Sequence, residues 1–323
     1  MIVMKSSNSS NKSNKTSSKN NDDVVAPNLI ARQWVRLYRM LPVINFPGTH
    51  LDISFTLFAA AFLWASRLAF YQISVKVFDW PTDKKETDIA PGDMVSAWHS
   101  SLLLPGLIVA LTTQRYRPTE HISKTPQWWQ DLVSALLQFC TGYMVSDGFV
   151  TYFIVKGVNH WVASDYLFLG HHVVTTVYMT QTRVLQAGHI SAMCCMLLGE
   201  VTNPLHNMHL VANQALELDC CNGERMLNFH RLVTIGFAYS YFWMRTLVGP
   251  LFMLHLTADL LFSKTRDNVP FWIRLSWILM IWTVVFGSYD LVMDCWNTIQ
   301  KFRSESEEIG NEYDGIARPS AEL

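Results

Sequence analysis

Two adjacent histidines, His171 and His172, stand in the middle of the apolar run "SDYLFLGHHVVTTVYMTQ". Other apolar runs of the same chain each carry ionisable or amide side chains: Arg67, Asp147 in "GYMVSD", Glu200 and Asn203 in "LLGEVTNPLHN", and Arg245 in "AYSYFWMRTLVGPLF". These residue types suit a particular chemistry. A neutral imidazole can act as a general base or hold an acyl group as a nucleophile. A carboxylate beside it can orient the ring and stabilise imidazolium. A guanidinium suits a phosphate or carboxylate headgroup. The set therefore supplies a base or nucleophile, an acid to orient it and a cation for an anionic group, and equally fits recognition of a headgroup without catalysis.

Helical spacing sorts the candidates into faces. Asp165, His172 and Thr176 share one stripe, and His171, Thr175 and Tyr178 share the next. Neighbouring residues on a helix point about 100° apart, so the two imidazoles are expected to act unequally. Asp165 lies two turns from His172, about 10 Å along an axis, which leaves Glu200 on the following helix as the better orienting acid. Glu200, Asn203 and Asn207 fall at i, i+3 and i+7, with His189 on the same side, and Pro204 frees the Glu200 carbonyl from its helical bond. The catalytic candidates are His171, His172 and Glu200. The substrate-binding candidates are Asp147, Asp165, Asn203 and Arg245. His206 and His209 read as interfacial. A polar network that only holds helices together, with Arg245 neutralising Asp147 or Glu200, is the alternative. A charged group at the bilayer centre costs about 2.5–3.5 kcal/mol on insertion scales, which makes such residues functional candidates by default.

Other chemistries find no support. One HH, one HxxH and no HxxxH exclude the histidine boxes of a membrane di-iron enzyme, and no metal or cofactor is expected. Phosphate-binding loops and the GxSxG elbow are missing from the sequence. A formal net charge of -1 argues against nucleic acid as a partner. The six cysteines form no zinc spacing and no secreted disulfide framework. Cys220–Cys221 near a membrane edge is open to acylation or is simply a pair of thiols.

The elements that must position these residues follow from composition. Half of the 323 residues are hydrophobic and only 16% are charged, against roughly 25% charged in soluble chains. The apolar residues fall into blocks of about 20, the length that crosses a bilayer core. Seven such segments are read: Ile53–Phe78, Val95–Thr113 with Pro105 as a kink, Asp131–Val155, Tyr166–Gln181, His189–Val211, Leu232–Leu256 and Phe271–Met293. Trp80, Trp128, Trp129, Trp161 and Trp272 stand near their ends, at headgroup level. Without period-two alternation these segments are helices. The expected fold is all-α, a multi-pass transmembrane bundle of about seven helices with disordered polar N- and C-terminal tails. Residues 1–45 are a Ser/Asn/Lys-rich tail and amphipathic lead-in, 46–92 the first helix and its loop, 93–301 a six-helix domain, and 302–323 a polar acidic tail. Arg32, Arg36 and Arg39, with Arg115, Arg117 and Lys124, favour a cytosolic N-terminus, and the N-x-S/T triplets at Asn8, Asn11 and Asn14 would then stay unmodified.

Residues Asp93 to Lys301 resemble the TLC-domain family (the TRAM, Lag and CLN homology domain). The resemblance rests on "WHSSLLLP", "GYMVSD", "DYLFLGHH", "LLGEVTNPLHN" and the arginine-bearing "YFWMRTLVGP". It implies an endoplasmic-reticulum membrane protein whose partner is a membrane lipid or fatty acyl chain, and it leaves homo-oligomerisation open. The ceramide synthases of the family transfer an acyl group from acyl-CoA to a sphingoid amine, which would make acyl-CoA a co-substrate here. They carry paired histidines at the positions of His171 and His172, then two acids three apart in the next helix. This chain has Glu200 at the first and Asn203 at the second. The E-x-x-N-P form is closer to the non-ceramide-synthase branch, tied to membrane lipid balance. Whether the chain is an enzyme stays open; as one, it would be an acyltransferase of ceramide-synthase type. The comparison with ceramide synthases also points to a lumenal N-terminus, opposite to the charge reading.

Overall fold

A computed structural model describes residues 26–113, 117–156, 161–218, 220–221 and 223–317. Among them every regular element is helical, apart from two isolated bridges, Asn45 with Asp52 and His121 with Ala187. The first helix, α1 (Leu29–Met40), is capped by Asn28, whose side chain accepts from the Ala31 amide at 2.9 Å. It turns Ala31, Val35 and Tyr38 inward and leaves Arg32 and Arg36 exposed, so it lies against the bundle rather than in it.

Seven helical segments follow among the described residues. They are α2 (Ser54–Val77), α3 (Lys85–Thr113), α4 (Gln127–Phe149), α5 (Ala163–Leu185), the bent pair α6 (His189–Glu200) and α7 (Asn203–Leu216), then α8 (Glu224–Trp243) with α9 (Gly249–Phe262), and α10 (Phe271–Gly287) with α11 (Tyr289–Ala317). The first apolar segment and α2 agree to within one residue at each end, while several later helices outrun their segments, because hydropathy marks only the part that meets hydrocarbon. The second pass begins at Lys85, ten residues before its apolar run, and stays helical through Pro91 and Pro105. The seventh continues as α11 to Ala317.

Four stretches are long and apolar enough to cross a membrane by length and composition: Ser54–Val77, Lys85–Thr113, Glu224–Phe262 and Phe271–Glu305. The passes between them in sequence, α4 to α7, carry the buried polar groups Gln138, Asp165, His172, Glu200 and Asn207. Charge and amide in those helices lower their hydropathy and hold them in the interior.

α4 is the central post, packed against α1, α2, α3 and α5. Gly142 lets it approach α2: a Cβ there would lie 2.5 Å from the Thr56 carbonyl oxygen and 2.7 Å from the Ala59 methyl. One end of the bundle is stitched through Asp52. Its Oδ1 accepts from the Ser54 amide at 3.0 Å, its Oδ2 from the Tyr38 hydroxyl at 3.1 Å, and its carbonyl from Arg183 at the end of α5. Burial, reinforced by the Asp52 carboxylate, pushes the Tyr38 phenol up, so it remains a donor. Arg39 ties α1 to α4 by donating to Asp131 at 2.7 Å. The cysteines are free, with the sulfurs of Cys220 and Cys221 3.6 Å apart. The triplets at Asn8, Asn11 and Asn14, and Arg115, lie outside the described residues.

Candidate functional site

His172 is buried on α5 and uses both ring nitrogens. Its Nδ1 is 2.7 Å from the Phe168 carbonyl oxygen, one turn back, and its Nε2 is 3.1 Å from Asp147 Oδ2 on α4. A carbonyl oxygen can only accept, so Nδ1 carries a hydrogen. The contact to Asp147 then needs one further proton, shared between Nε2 and the carboxyl group. Asp147 Oδ1 accepts from the Thr151 hydroxyl at 3.0 Å and lies 4.0 Å from the Arg67 guanidinium. Arg67 in turn donates to Thr151 at 3.1 Å and to the Asp88 carbonyl at 3.1 Å. Gly92 makes room for it, since a Cβ there would sit 2.6 Å from Arg67 Nη1. Asp147 is therefore the acid that orients His172, a pairing made by the α4–α5 contact and not by spacing along either helix.

Glu200 closes α6 and belongs to a second centre. Its Oε2 accepts from the Ser100 hydroxyl at 2.6 Å and from the Asn203 amide at 3.0 Å. The bend at Val201–Thr202, with Pro204 in the first turn of α7, brings Asn203 back over the acid. His99 Nδ1 lies 3.7 Å from the same oxygen. The His99 ring is fully buried, stacked on Tyr143 with centroids 4.0 Å apart, and neither nitrogen makes a hydrogen bond among the described residues. His99 and Ser100 lie in "WHSSLLLP" and are not among the residues that helical spacing marks out. Their signal was three consecutive polar residues inside an apolar helix.

A cavity of about 80 Å³ lies between α5, α6, the α8–α9 junction and α10. His171, Thr175 and Tyr178 face it from one stripe of α5, Glu200 from α6 and Arg245 from the junction. Most of the remaining wall is apolar, including Met144, Met179, Met196, Met244, Met253 and Met280. The ring of His171 stands at 88° to that of His172, and it makes no hydrogen bond among the described residues. The two imidazoles are unequal in their surroundings: one is locked to Asp147, the other faces the cavity.

Two π-helical turns bound this region, a form found frequently at functional sites. Val150–Val155 continues α4 and presents Thr151 to Asp147 and Arg67; its register is marked by the Lys156 amide donating to the Thr151 carbonyl. Met244–Val248 joins α8 to α9 and carries Arg245. Of the predicted site residues, His171, Glu200 and Arg245 meet at the cavity. His172 and Asp147 pair beside it, and Asn203 holds Glu200. Asp165 is elsewhere: it accepts from the Val162 amide at 2.9 Å at the start of α5 and is paired with Lys156.

The TLC-domain model matches residues 92–296, which takes in α4 to α10 and every residue of these two centres except Arg67 and Asp88. The chain belongs to the TLC-domain family. A TLC domain-containing protein of Arabidopsis thaliana is 26% identical over 164 residues, 50% of this chain. The aligned part covers 61% of that relative's length. No solved structure matches. The TLC domain and its apolar helices make this an integral membrane protein of a lipid-related family.

Proposed function

We propose that this TLC-domain protein acts in membrane lipid homeostasis through an intramembrane lipid site, the cavity faced by His171, Glu200 and Arg245. The observation that carries the reading is the wall itself: mostly apolar, with a few polar groups converging at one place, the usual make-up of a small-molecule site. The methionines suit an acyl chain, because a thioether side chain adapts to varied apolar shapes. The polar groups suit the headgroup end. The endoplasmic reticulum is the compartment that the family suggests.

The test is a comparison of cellular lipid composition with the wild-type chain, with His171→Ala and with the His171→Ala, His172→Ala double variant, each at matched protein abundance. The reading expects altered lipids in both variants. Normal lipids with a stable double variant would end it.

The His172–Asp147 pair favours a second reading, an acyl-CoA-dependent N-acyltransferase. In that reaction an amine nitrogen attacks the thioester carbonyl, the C–N bond forms and the C–S bond breaks. The amine proton passes to an imidazole and from there to the departing CoA thiolate. His171, which faces the cavity, would be the base, and His172 would position it. Purified protein given acyl-CoA and a long-chain amine would release free CoA thiol under this reading, and His171→Ala would release none.

A further inference from the structure

We infer that the lipid bound in this cavity carries an anionic oxygen headgroup, a carboxylate or a phosphate, recognised by Arg245. The inference rests on the reading of the cavity as a lipid site and adds the chemical class of its ligand.

The argument begins from a charge with no counter-ion. Arg245 sits on the π-helical turn between α8 and α9 and lines the cavity. Among the described residues no carboxylate lies within 4.0 Å of its guanidinium. Its Nε is buried and makes no hydrogen bond, while the guanidinium carbon lies 5.2 Å from the centroid of the Tyr241 ring. A guanidinium is always protonated and offers five donors in a planar fork. In hydrocarbon such a group is expensive unless paired.

Among the described residues neither of the intramembrane acids nearest the site pairs with Arg245. Asp147 is held by His172 and Thr151 with Arg67 nearby. Glu200 faces the same cavity, but its Oε2 is bound by Ser100 and Asn203. The arrangement in which Arg245 neutralises Asp147 or Glu200 is thus not the one adopted. Beside Arg245 are the Tyr241 side chain, which takes one of its donors, and the cavity, with the ring of His171 as a further polar edge and the methionine-rich wall beyond. An acyl chain ending in a carboxylate or phosphate fits both parts: the chain against thioethers, the anion in the fork, where paired N–H donors give the strongest hydrogen bonds available to it.

The experiment uses the full chain in nanodiscs and an oleic acid analogue with a mid-chain diazirine. Light-induced crosslinks are mapped by peptide sequencing, with oleate, lysophosphatidate and oleyl alcohol as competitors. The inference expects crosslinks on α5, α9 or α10. It expects oleate, lysophosphatidate or both to displace the probe at a concentration about tenfold or more below that needed for the alcohol. Displacement by oleate at the lower concentration identifies a free carboxylate as the preferred headgroup, by lysophosphatidate at the lower concentration a phosphate; both outcomes support the inference. Arg245→Gln should erase the gap and Arg245→Lys should keep most of it. If oleyl alcohol competes as well as the acids while the crosslinks still map to the cavity walls, the anion assignment falls and the lipid site stands. If no probe labels those helices, the lipid site falls too. The competition series on the wild-type protein decides the matter even where Arg245→Gln does not fold.

Discussion

His172 and Asp147 meet across the α4–α5 contact, Nε2 to Oδ2 at 3.1 Å, although 25 residues separate them in the chain. The adjacent imidazole, that of His171, has no such partner among the described residues and faces the cavity. One helix thus carries a fixed ring and a free one, and the two should respond to substitution in opposite ways.

His172→Ala leaves the partly buried Asp147 with one donor fewer. Removing one member of a buried, hydrogen-bonded pair costs about 3–5 kcal/mol. The expected result is a clear fall in Tm in detergent for His172→Ala and for Asp147→Ala. The double variant should lose less than the sum, with a coupling of about 0.5–3 kcal/mol in a double-mutant cycle. Strict additivity would show that the contact contributes nothing of its own.

His171→Ala should behave otherwise. The ring makes no hydrogen bond among the described residues, so the variant is expected to melt within about 1 kcal/mol of wild type while losing lipid-dependent activity. His171→Gln separates two mechanisms. Gln keeps a hydrogen-bonding edge but is no base at neutral pH, so retained activity means binding and lost activity means proton transfer.

Ser100→Ala removes the 2.6 Å donor to Glu200. A buried acceptor deprived of a partner costs about 1–3 kcal/mol. Ser100→Thr, which keeps the hydroxyl, should recover part of that loss. Equal melting of the Ala and Thr variants would mean that the hydroxyl is irrelevant and only the space matters.

Gly142→Ala tests the close approach of α4 and α2. Its methyl would meet the Thr56 carbonyl, a backbone atom that cannot swing aside. Overpacking of this kind costs about 1–3 kcal/mol. Because Tyr143 and Asp147 follow on the same helix, a shift of α4 should also weaken lipid dependence. A variant as stable as wild type would show that the helices separate freely.

Topology is open to a chemical test at the N-terminus. With the basic side cytosolic, the asparagines at 8, 11 and 14 stay bare and glycosidase treatment leaves the mass unchanged. A glycosidase-sensitive shift that disappears when they are mutated would reverse the orientation.

The helical segments were legible because apolar blocks of bilayer length have few other uses, although among the described residues only four stretches are long and apolar enough to cross a membrane by length and composition. The inequality of the histidines followed from helical phase alone. The partner of His172 was not legible. Helical spacing favoured Glu200, and only the packing of α4 beside α5 puts Asp147 in reach. Asp165 shares a stripe with His172, yet it is spent on the start of α5 and on Lys156. His99 and Ser100 sit on a helix whose apolar run gave no phase, so their convergence on Glu200 depends on how α3 meets α6. The π-helical turns left no mark in the residue pattern.

Those turns have a consequence of their own. A π-turn is an α-helix with one residue too many for its length, and each residue advances the helical phase by about 100°. Deleting a single residue from Met244–Val248 would let α8 run into α9 without a break, but one side of the junction would then rotate by that angle relative to the other. Either Arg245 or the packed face of α9 would be turned away from the interior. The surplus residue acts as a phase adjuster, setting the angular position of a charge independently of the helix that carries it.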